Sequence, residues 1–358
     1  MRVQFSLRLM VVGSIVAAIT ALAVLVLGNG LPSLSVSGVA RTSPADPSSR
    51  GRYQVGVVRR KFPRPASQLA TPQPIASLTQ PLDVVIWYPA KLGTPAPTID
   101  ETLAAPLEAE ADRGGAPYPA ILFAHGSGGG PWVSTYLTTH LASHGFVVLA
   151  ASHVGSRTDR PAELNSVLNQ LASPNPTDDG LLTGLVDGAR VGVVGFSLGG
   201  DSVLRMAATD QRPRAVIAMA PGGSGTGPSP LVDSIQGVIA PTMLMWGLLD
   251  EIVAYDNHRP LLDSLGQTSP ERWLVALRRT GHFAFADRCL VGRRGCGPND
   301  LPQGQAHALI NRWATAFLLR HVAGDERYAT FLDPTLATDD PDLEITYLPT
   351  STGSLRLP

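Results

Sequence analysis

The sequence predicts a single α/β domain in which helices cover both faces of a mostly parallel sheet. Strand-like apolar runs alternate with segments of helical periodicity along residues 53–324. Most of these runs are continuously apolar, which is typical of strands buried on both faces. No internal repeat of fixed period is visible, and the short segment between Ala220 and Thr242 leaves no room for a large helical lid. We therefore expect one doubly wound domain with an open site.

About eight strands are expected, each a short run rich in β-branched and apolar residues. They are residues 53–58, 83–88, 119–124, 146–151, 191–194, 215–220, 242–246 and 272–277. Helices are expected at 132–144, 161–172, 201–209 and 303–322. Gly145 and Gly324 follow the first and last of these helices, as glycine commonly does at a helix end. Residues 91–117 carry proline, glycine and acidic residues and are expected to form a surface excursion.

Residues 1–40 are predicted to be an export signal or a membrane anchor. Arg2 and Arg8 precede residues 9–27, which carry no charge, a pattern typical of a signal peptide or a membrane span. Small residues at 38–40 suit cleavage, so we favour an exported protein, periplasmic or secreted. The alternative is a membrane anchor with the domain outside the cytoplasm, and any membrane association is expected through this segment alone. Residues 41–52 are predicted as a linker, and 325–358 are left as an unassigned tail.

The charge balance excludes one class of partner. The chain has 28 basic and 29 acidic residues and a formal net charge of -1, so we expect no nucleic-acid surface. His140 and His144 lie four residues apart on a predicted helix, but no third metal ligand accompanies them. We expect neither a bound metal nor a cofactor.

The most informative segment is Gly195-Phe196-Ser197-Leu198-Gly199, which follows a buried strand and precedes a helix. In that context Gly-x-Ser-x-Gly indicates a nucleophile elbow, a sharp turn that holds a serine in a strained conformation. The glycines are needed because the strand and helix backbones approach closely. The alternative is a glycine-rich turn whose serine caps the helix. Which interpretation holds depends on whether Ser197 has partners.

Two such partners follow in the order acid, then histidine. A serine hydroxyl needs a base to take its proton and an acid to orient that base. Asp250 follows the strand at 242–246, and His282 follows the strand at 272–277. Because the carboxyl ends of parallel strands meet at one edge, both should approach Ser197. Asp250 lies nearest to its strand end among the local carboxylates. The other candidates are Glu251, Asp256 and Asp233.

Two backbone N–H groups are predicted to stabilise the negative charge that develops on an attacked carbonyl oxygen. One belongs to Leu198, the residue after the serine. The other belongs to Ser127, in the loop after the strand at 119–124. His125 and Gly126 are expected to support that loop, His125 by hydrogen bonding. The substrate pocket has two candidate wall residues, Trp132 and His153.

Cys289 and Cys296 are the chain's two cysteines. In an exported chain such a pair predicts a disulfide rather than a metal site. Because the pair follows His282 closely, the bridge should stiffen the region of the base. Two unpaired thiols are the alternative.

Several of these segments resemble known enzymes. Phe-Ala-His-Gly-Ser-Gly-Gly-Gly at 123–130 and Gly-Phe-Ser-Leu-Gly-Gly at 195–200 resemble α/β-hydrolases of the dienelactone hydrolase type and platelet-activating-factor acetylhydrolase-like enzymes. Leu-Ala-Ser-His-Gly-Phe-Val-Val at 141–148 is also similar to bacterial cutinases and polyester hydrolases. The resemblance covers residues 83–324 and implies the α/β-hydrolase fold, with the nucleophile after the fifth strand.

The chain departs from each of these groups. Acetylhydrolases of the platelet-activating-factor type carry their acid after the sixth strand, where residues 220–223 have no carboxylate. Dienelactone hydrolase has a cysteine nucleophile where this chain has serine. Polyester hydrolases usually have an aromatic residue where His125, Gly126 and Ser127 stand.

The expected function is therefore a carboxylic ester hydrolase with a Ser-Asp-His triad. It would act through an acyl-enzyme on esters of short or modest acyl groups, because a site without a large lid is open. A cutinase-like polyester hydrolase is the alternative, so the expected partner is a small-molecule or polymeric ester. Acyl transfer to an acceptor other than water shares the same intermediate. A non-catalytic binding protein on the same fold is the alternative of another class.

Overall fold

A nine-stranded sheet forms the centre of the protein. In this computed structural model, residues 44–358 belong to one unit. The structure describes residues 43–66, 80–93, 99–153, 157–172, 180–222, 231–265, 268–290, 292–298, 300–338 and 340–349. The predicted export signal lies outside the described residues. In the described part of the chain, no helix is long and apolar enough to cross a bilayer.

Eleven strands are present in the described residues. They are β1 (Gln54–Phe62), β2 (Leu82–Ala90), β3 (Ile99–Asp100), β4 (Ala105–Pro106), β5 (Tyr118–Ala124), β6 (Val147–Ala151), β7 (Val186–Phe196), β8 (Pro213–Met219), β9 (Thr242–Gly247), β10 (Glu271–Leu277) and β11 (Leu343–Pro349). The sheet order is β1-β2-β6-β5-β7-β8-β9-β10-β11, while β3 and β4 form a separate ribbon. Strands β5 to β10 run parallel, and β1, β2 and β11 add antiparallel pairs at the two sides.

Five α-helices accompany these strands in the described residues. They are α1 (Thr135–Ser143), α2 (Arg160–Ala172), α3 (Leu198–Thr209), α4 (His258–Ser264) and α5 (Gln303–His321). Short 3-10 helices are found at Pro131–Ser134, Val232–Ser234, Tyr255–Asn257, His282–Phe285, Glu326–Phe331 and Pro334–Ala337. Every residue of β5, β6 and β9 is buried, as strands covered on both faces require. The predicted doubly wound α/β fold is confirmed.

The number of strands differs from the prediction. The sequence suggested eight strands and left residues 325–358 unassigned, whereas Leu343–Pro349 is the ninth strand of the sheet. It pairs antiparallel with β10, and the rings of Tyr347 and Trp273 lie 4.2 Å apart. An edge strand has one neighbour and is only half buried, so its hydrophobic pattern is weak. The unit therefore continues beyond Gly324, where the predicted domain ended.

The predicted surface excursion packs onto the sheet in its described part. Leu103 is fully buried, and its carbonyl accepts a hydrogen bond from Trp87 Nε1 at 2.8 Å. Tyr88 Oη donates to the carbonyl of Ala109 at 2.7 Å. Buried indole and phenol groups need such partners, so the tryptophan and tyrosine of β2 hold the segment in place.

The predicted linker is attached to α1. His140 Nε2 donates to the carbonyl of Pro47 at 2.8 Å, and His144 Nε2 donates to the carbonyl of Ser49 at 2.9 Å. Gly51 N–H donates to Ser143 Oγ at 2.9 Å. The histidine pair thus holds backbone carbonyls, and within the described residues no cluster of ligands could hold a metal ion.

This attachment makes the fold sensitive to acid. Burial lowers the pKa of His140 to about 4 and also lowers the pKa of His144. A histidine in the unfolded chain has a pKa of about 6.5. Between those values the unfolded chain binds more protons, so the free energy of unfolding should fall as pH drops from 6.5 toward 4. Urea unfolding at pH 7, 6 and 5 measures this slope. His140→Gln, which keeps a donor for Pro47, should make the slope shallower, and an unchanged slope would contradict the assignment.

Candidate active site

Ser197 occupies a strained turn between β7 and α3. Its φ of 56° and ψ of -120° lie in a region that residues other than glycine rarely adopt. The turn is held by β8 and the residues after it. Ser197 N–H donates to the carbonyl of Met219 at 2.8 Å, and Gly222 N–H donates to the carbonyl of Ser197 at 3.3 Å. The sequence context therefore produces the geometry of a nucleophile elbow.

Two glycines make this turn sterically feasible. A Cβ added at Gly199 would lie 1.9 Å from the carbonyl oxygen of Ala124. One added at Gly195 would lie 2.2 Å from the carbonyl oxygen of Gly199. Both separations are far below van der Waals contact, so any larger residue would push α3 away from the sheet.

Ser197, His282 and Asp250 form a continuous hydrogen-bonded chain. Ser197 Oγ donates to His282 Nε2 at 3.0 Å, and His282 Nδ1 donates to Asp250 Oδ2 at 2.7 Å. All three residues are buried, and they follow β7, β10 and β9 at one edge of the sheet. The geometry can pass a proton from the serine to an imidazole whose orientation a carboxylate fixes.

Asp250 is anchored through its other oxygen. Oδ1 accepts hydrogen bonds from the N–H groups of Ile252 and Val253, both at 2.8 Å. The carbonyl of Val253 in turn accepts from Trp246 Nε1 at 3.0 Å. The loop that carries Asp250 is thereby attached to β9. Both carboxylate oxygens of the buried Asp250 have hydrogen-bond partners.

Cys289 and Cys296 form the predicted disulfide, with their Cα atoms 5.6 Å apart. The bridged loop lies against both His282 and the residues that follow Asp250. A Cβ added at Gly295, which has a φ of 86°, would lie 3.2 Å from His282 Cβ and from Ile252 Cγ1. The guanidinium of Arg294 donates to the carbonyl of Glu251 at 2.6 Å, and that of Arg293 lies 4.1 Å from the centre of the Phe283 ring.

The loop after β5 lies beside the serine. A Cβ added at Gly126 would lie 3.2 Å from Ser197 Cβ, so Ser127 follows a residue in close contact with the elbow. Leu198 is the first residue of α3, and the first N–H groups of a helix have no acceptor within it. The structure thus places Gly126, the residue before Ser127, against Ser197, and Leu198 directly after it.

Trp132 and His153, the predicted pocket residues, occupy different environments. Trp132 is 47% exposed, and its ring covers Gly130, where an added Cβ would lie 2.6 Å from ring carbons. The His153 side chain is fully buried and pairs with Glu163. Its side chain therefore faces Glu163 in the interior, and its place in the pocket wall stays a prediction.

Sequence reasoning missed the group of buried charges behind the loop after β5. Glu163 of α2 is 1% exposed and binds both His153 and Arg64, and Arg160 donates to the carbonyl of His125 at 2.7 Å. A charged residue on an amphipathic helix is ordinarily exposed, so no signal in the sequence marked Glu163 as buried.

Comparison with known proteins agrees with this geometry. Residues 132–345 match the family model described as PET hydrolase-like. The chain belongs to this family. Membership confirms the predicted α/β-hydrolase fold and the resemblance to polyester hydrolases and cutinases, and it makes the chain a carboxylic ester hydrolase.

Individual relatives match about three fifths of the chain. Cutinase 1 of Thermobifida cellulosilytica is 29% identical over 224 residues, which are 61% of this chain and 73% of that protein. A cutinase of Thermobifida fusca (strain YX) is 29% identical over 224 residues, 61% of this chain and 64% of the relative. The platelet-activating factor acetylhydrolase of Cavia porcellus is 24% identical over 267 residues, 60% of each chain.

Reduction of the disulfide should lower stability. Opening the bridge, whose cysteines lie seven residues apart, should reduce the free energy of unfolding by about 2 kcal/mol because the unfolded chain gains freedom. Thermal unfolding with and without a reductant measures the effect. The double variant Cys289→Ser and Cys296→Ser is the control and should not respond to reductant. Equal melting of the native protein in both conditions would contradict a stabilising bridge.

Proposed function

We propose that Ser197, His282 and Asp250 are the catalytic triad of this ester hydrolase. The observation that carries the proposal is the unbroken hydrogen-bonded chain from Ser197 Oγ through the imidazole to Asp250. It is supported by the strained backbone of Ser197, because strain of this kind is concentrated at functional sites. A helix-capping role for Ser197 has no support, since its side chain makes no cap hydrogen bond.

The geometry supports a two-step reaction. Ser197 Oγ attacks the ester carbonyl while His282 Nε2 takes its proton, and the carbonyl oxygen becomes negatively charged. The C–O bond to the alcohol then breaks as His282 returns the proton to the leaving oxygen, which yields an acyl-enzyme and an alcohol. In the second step His282 takes a proton from water, and the water oxygen attacks the acyl carbon. The bond from that carbon to Ser197 Oγ then breaks as His282 returns the proton to Oγ, which releases the acid and restores Ser197.

Asp250 and the two N–H groups have separate roles in this proposal. Asp250 keeps the proton of His282 on Nδ1, so that Nε2 is free to accept, and it stabilises the imidazolium. The N–H groups of Ser127 and Leu198 donate to the charged oxygen of the intermediate. Each such donor contributes about 3 kcal/mol to stabilisation of the transition state.

The substrate we propose is an extended ester chain with short or modest acyl units, as in a polyester. The relatives named as cutinases support this choice, as does the PET hydrolase-like family. Trp132 and Leu249, each 47% exposed, follow β5 and β9 at the edge that carries Ser197. Exposed apolar side chains at this edge of the sheet suit an extended apolar substrate better than a small polar ester.

The position of the acid favours the same choice over an acetylhydrolase of the platelet-activating-factor type. Asp250 follows β9, whereas the described residues directly after β8, Ala220, Pro221 and Gly222, include no carboxylate. The likeness to the Cavia porcellus relative is weaker, at 24% identity. The exposed Trp132 beside the loop after β5 also supplies an aromatic ring that the sequence pattern at 125–127 lacks.

We also propose that the enzyme works outside the cytoplasm. The Cys289–Cys296 bridge supports this location, because disulfides persist mainly in oxidising compartments. The uncharged run near the amino terminus is consistent with export.

Ser197→Ala should abolish ester hydrolysis. We expect the rate on p-nitrophenyl acetate and butyrate to fall at least about 10⁴-fold, because the triad members act as a unit, and Asp250→Asn to cause a loss of about 10⁴-fold. Ser269→Ala is the matched control, since Ser269 is a buried serine at the opposite edge of the sheet. An active Ser197→Ala protein, or an inert native protein, would refute the proposal.

Trp132→Ala should separate polymeric from small substrates. We expect hydrolysis of a polyester film to fall about tenfold, because the ring would no longer bury apolar surface of the chain. Hydrolysis of p-nitrophenyl acetate should change less than about twofold by the same reasoning. Leu336→Ala, at an exposed apolar residue of a distant 3-10 helix, serves as the control. Equal loss on both substrates would count against docking of a polymer at Trp132.

A further inference from the structure

A buried chain of polar groups leads from Arg64 through Glu163 of α2 to the loop beside Ser197, and it has no role in the proposed proton transfer. Arg64, which follows β1, pairs with Glu163. Glu163 Oε2 accepts from His153 Nδ1 at 2.7 Å. The backbone N–H of His153 donates to His125 Nε2 at 3.0 Å. The side chains of Arg64, Glu163 and His153 are at most 6% exposed. His125 is 2% exposed.

His125 is the last residue of this chain of polar groups, and it binds the peptide group that contains the Ser127 N–H. His125 Nδ1 donates to the carbonyl of Gly126 at 2.8 Å, and Gly129 N–H donates to the same oxygen at 3.3 Å. The carbonyl of Gly126 and the N–H of Ser127 belong to one planar trans peptide. Holding that oxygen toward His125 therefore fixes the opposite direction for the Ser127 N–H.

The hydrogen bond from the His153 backbone determines which ring nitrogen of His125 carries the proton. Nε2 faces a backbone N–H, which has only a hydrogen to offer, so Nε2 must accept and Nδ1 must carry the proton. Burial lowers the pKa of His125 to about 3. The ring therefore stays neutral, and the hydrogen bond to Gly126 persists over the range in which the proposed base works.

Glu163 binds the side chain of His153, the residue whose backbone N–H contacts His125. His153 presents its backbone N–H to His125 and its side chain to Glu163, so the carboxylate fixes where that N–H stands. Arg160 donates to the carbonyl of His125 at 2.7 Å, which restrains the residue from its other side. Because Arg64 neutralises Glu163, the buried carboxylate has a charged partner.

We propose that Glu163, His153 and His125 are positioning residues that aim the Ser127 N–H at the charged oxygen of the intermediate. This inference rests on the proposed function, since it concerns the same oxyanion site. Their effect should appear in kcat and not in KM, because the interaction strengthens only when charge develops on the oxygen.

A matched pair at His125 tests the inference in the full chain. His125→Asn keeps an N–H donor at the place of Nδ1, whereas His125→Leu has a similar shape and no donor. With p-nitrophenyl acetate we expect kcat of His125→Leu to fall about 10- to 100-fold below that of His125→Asn, with KM of both within about threefold of the native value. Binding of phenylboronic acid, which forms a tetrahedral adduct with a serine hydroxyl, should weaken in parallel with kcat/KM.

A second set of variants keeps the test decisive if His125→Leu does not fold. Glu163→Gln retains an acceptor for His153 and should keep kcat within about threefold, while Glu163→Leu should lose about tenfold, by the same hydrogen-bond reasoning. Glu271→Leu is the control, because Glu271 binds Arg320 and His321 at the opposite edge of the sheet. It should lower the melting temperature without lowering kcat.

Three results would overturn the inference. They are equal kcat for folded His125→Asn and His125→Leu, a rise in KM with constant kcat, and an equal loss of kcat in Glu271→Leu and Glu163→Leu. An inert native protein would refute the proposed function and this inference together. An active native protein with unchanged positioning variants would refute the inference alone.

Discussion

The close approach of two backbones at Ser197 constrains the rest of the molecule. A Cβ at Gly199 would lie 1.9 Å from the carbonyl oxygen of Ala124, so β5, β7 and α3 come together at a point where side chains have no room. The positive φ of Ser197 accompanies this contact, and the loop after β5 lies against the serine. The parallel sheet then supplies the remaining groups, because β9 and β10 end at the same edge and deliver Asp250 and His282.

Two buried carboxylate and histidine pairs flank this point, and their surroundings differ. Asp250 accepts two backbone N–H groups with one oxygen and His282 with the other. The ring it orients faces Ser197. Glu163 is paired with Arg64, and the ring it holds is fully buried behind the loop after β5. The same chemical pair thus has a proposed role in proton transfer on one side and in placement of the backbone on the other.

The loop closed by Cys289 and Cys296 contacts both His282 and the residues that follow Asp250. Gly295 packs between His282 and Ile252, and Arg294 binds the backbone of the acid loop. Among the described residues, Trp132 and Leu249 are exposed, and they follow β5 and β9, the strands that precede the loop beside Ser197 and Asp250.

The sequence by itself determined the features that depend on local pattern. The apolar runs determined the α/β class, and the glycines around Ser197 marked the elbow because only glycine permits that backbone approach. The order of Ser197, Asp250 and His282 followed from the strands before them, and the structure joins these three side chains by hydrogen bonds. Because Cys289 and Cys296 are the chain's two cysteines, only one intramolecular pairing was possible.

Tertiary structure alone decided the features that depend on partners far along the chain. Strand β11 has a weak pattern, and its place is set by pairing with β10. The segment at 43–52 has the composition of a linker, yet His140 and His144 bind its carbonyls. In the sequence Glu163 has the position of an exposed charge on a helix, whereas in the structure it is buried and pairs with Arg64 and His153. In each case the deciding contact joins residues distant in sequence, and no local pattern records it.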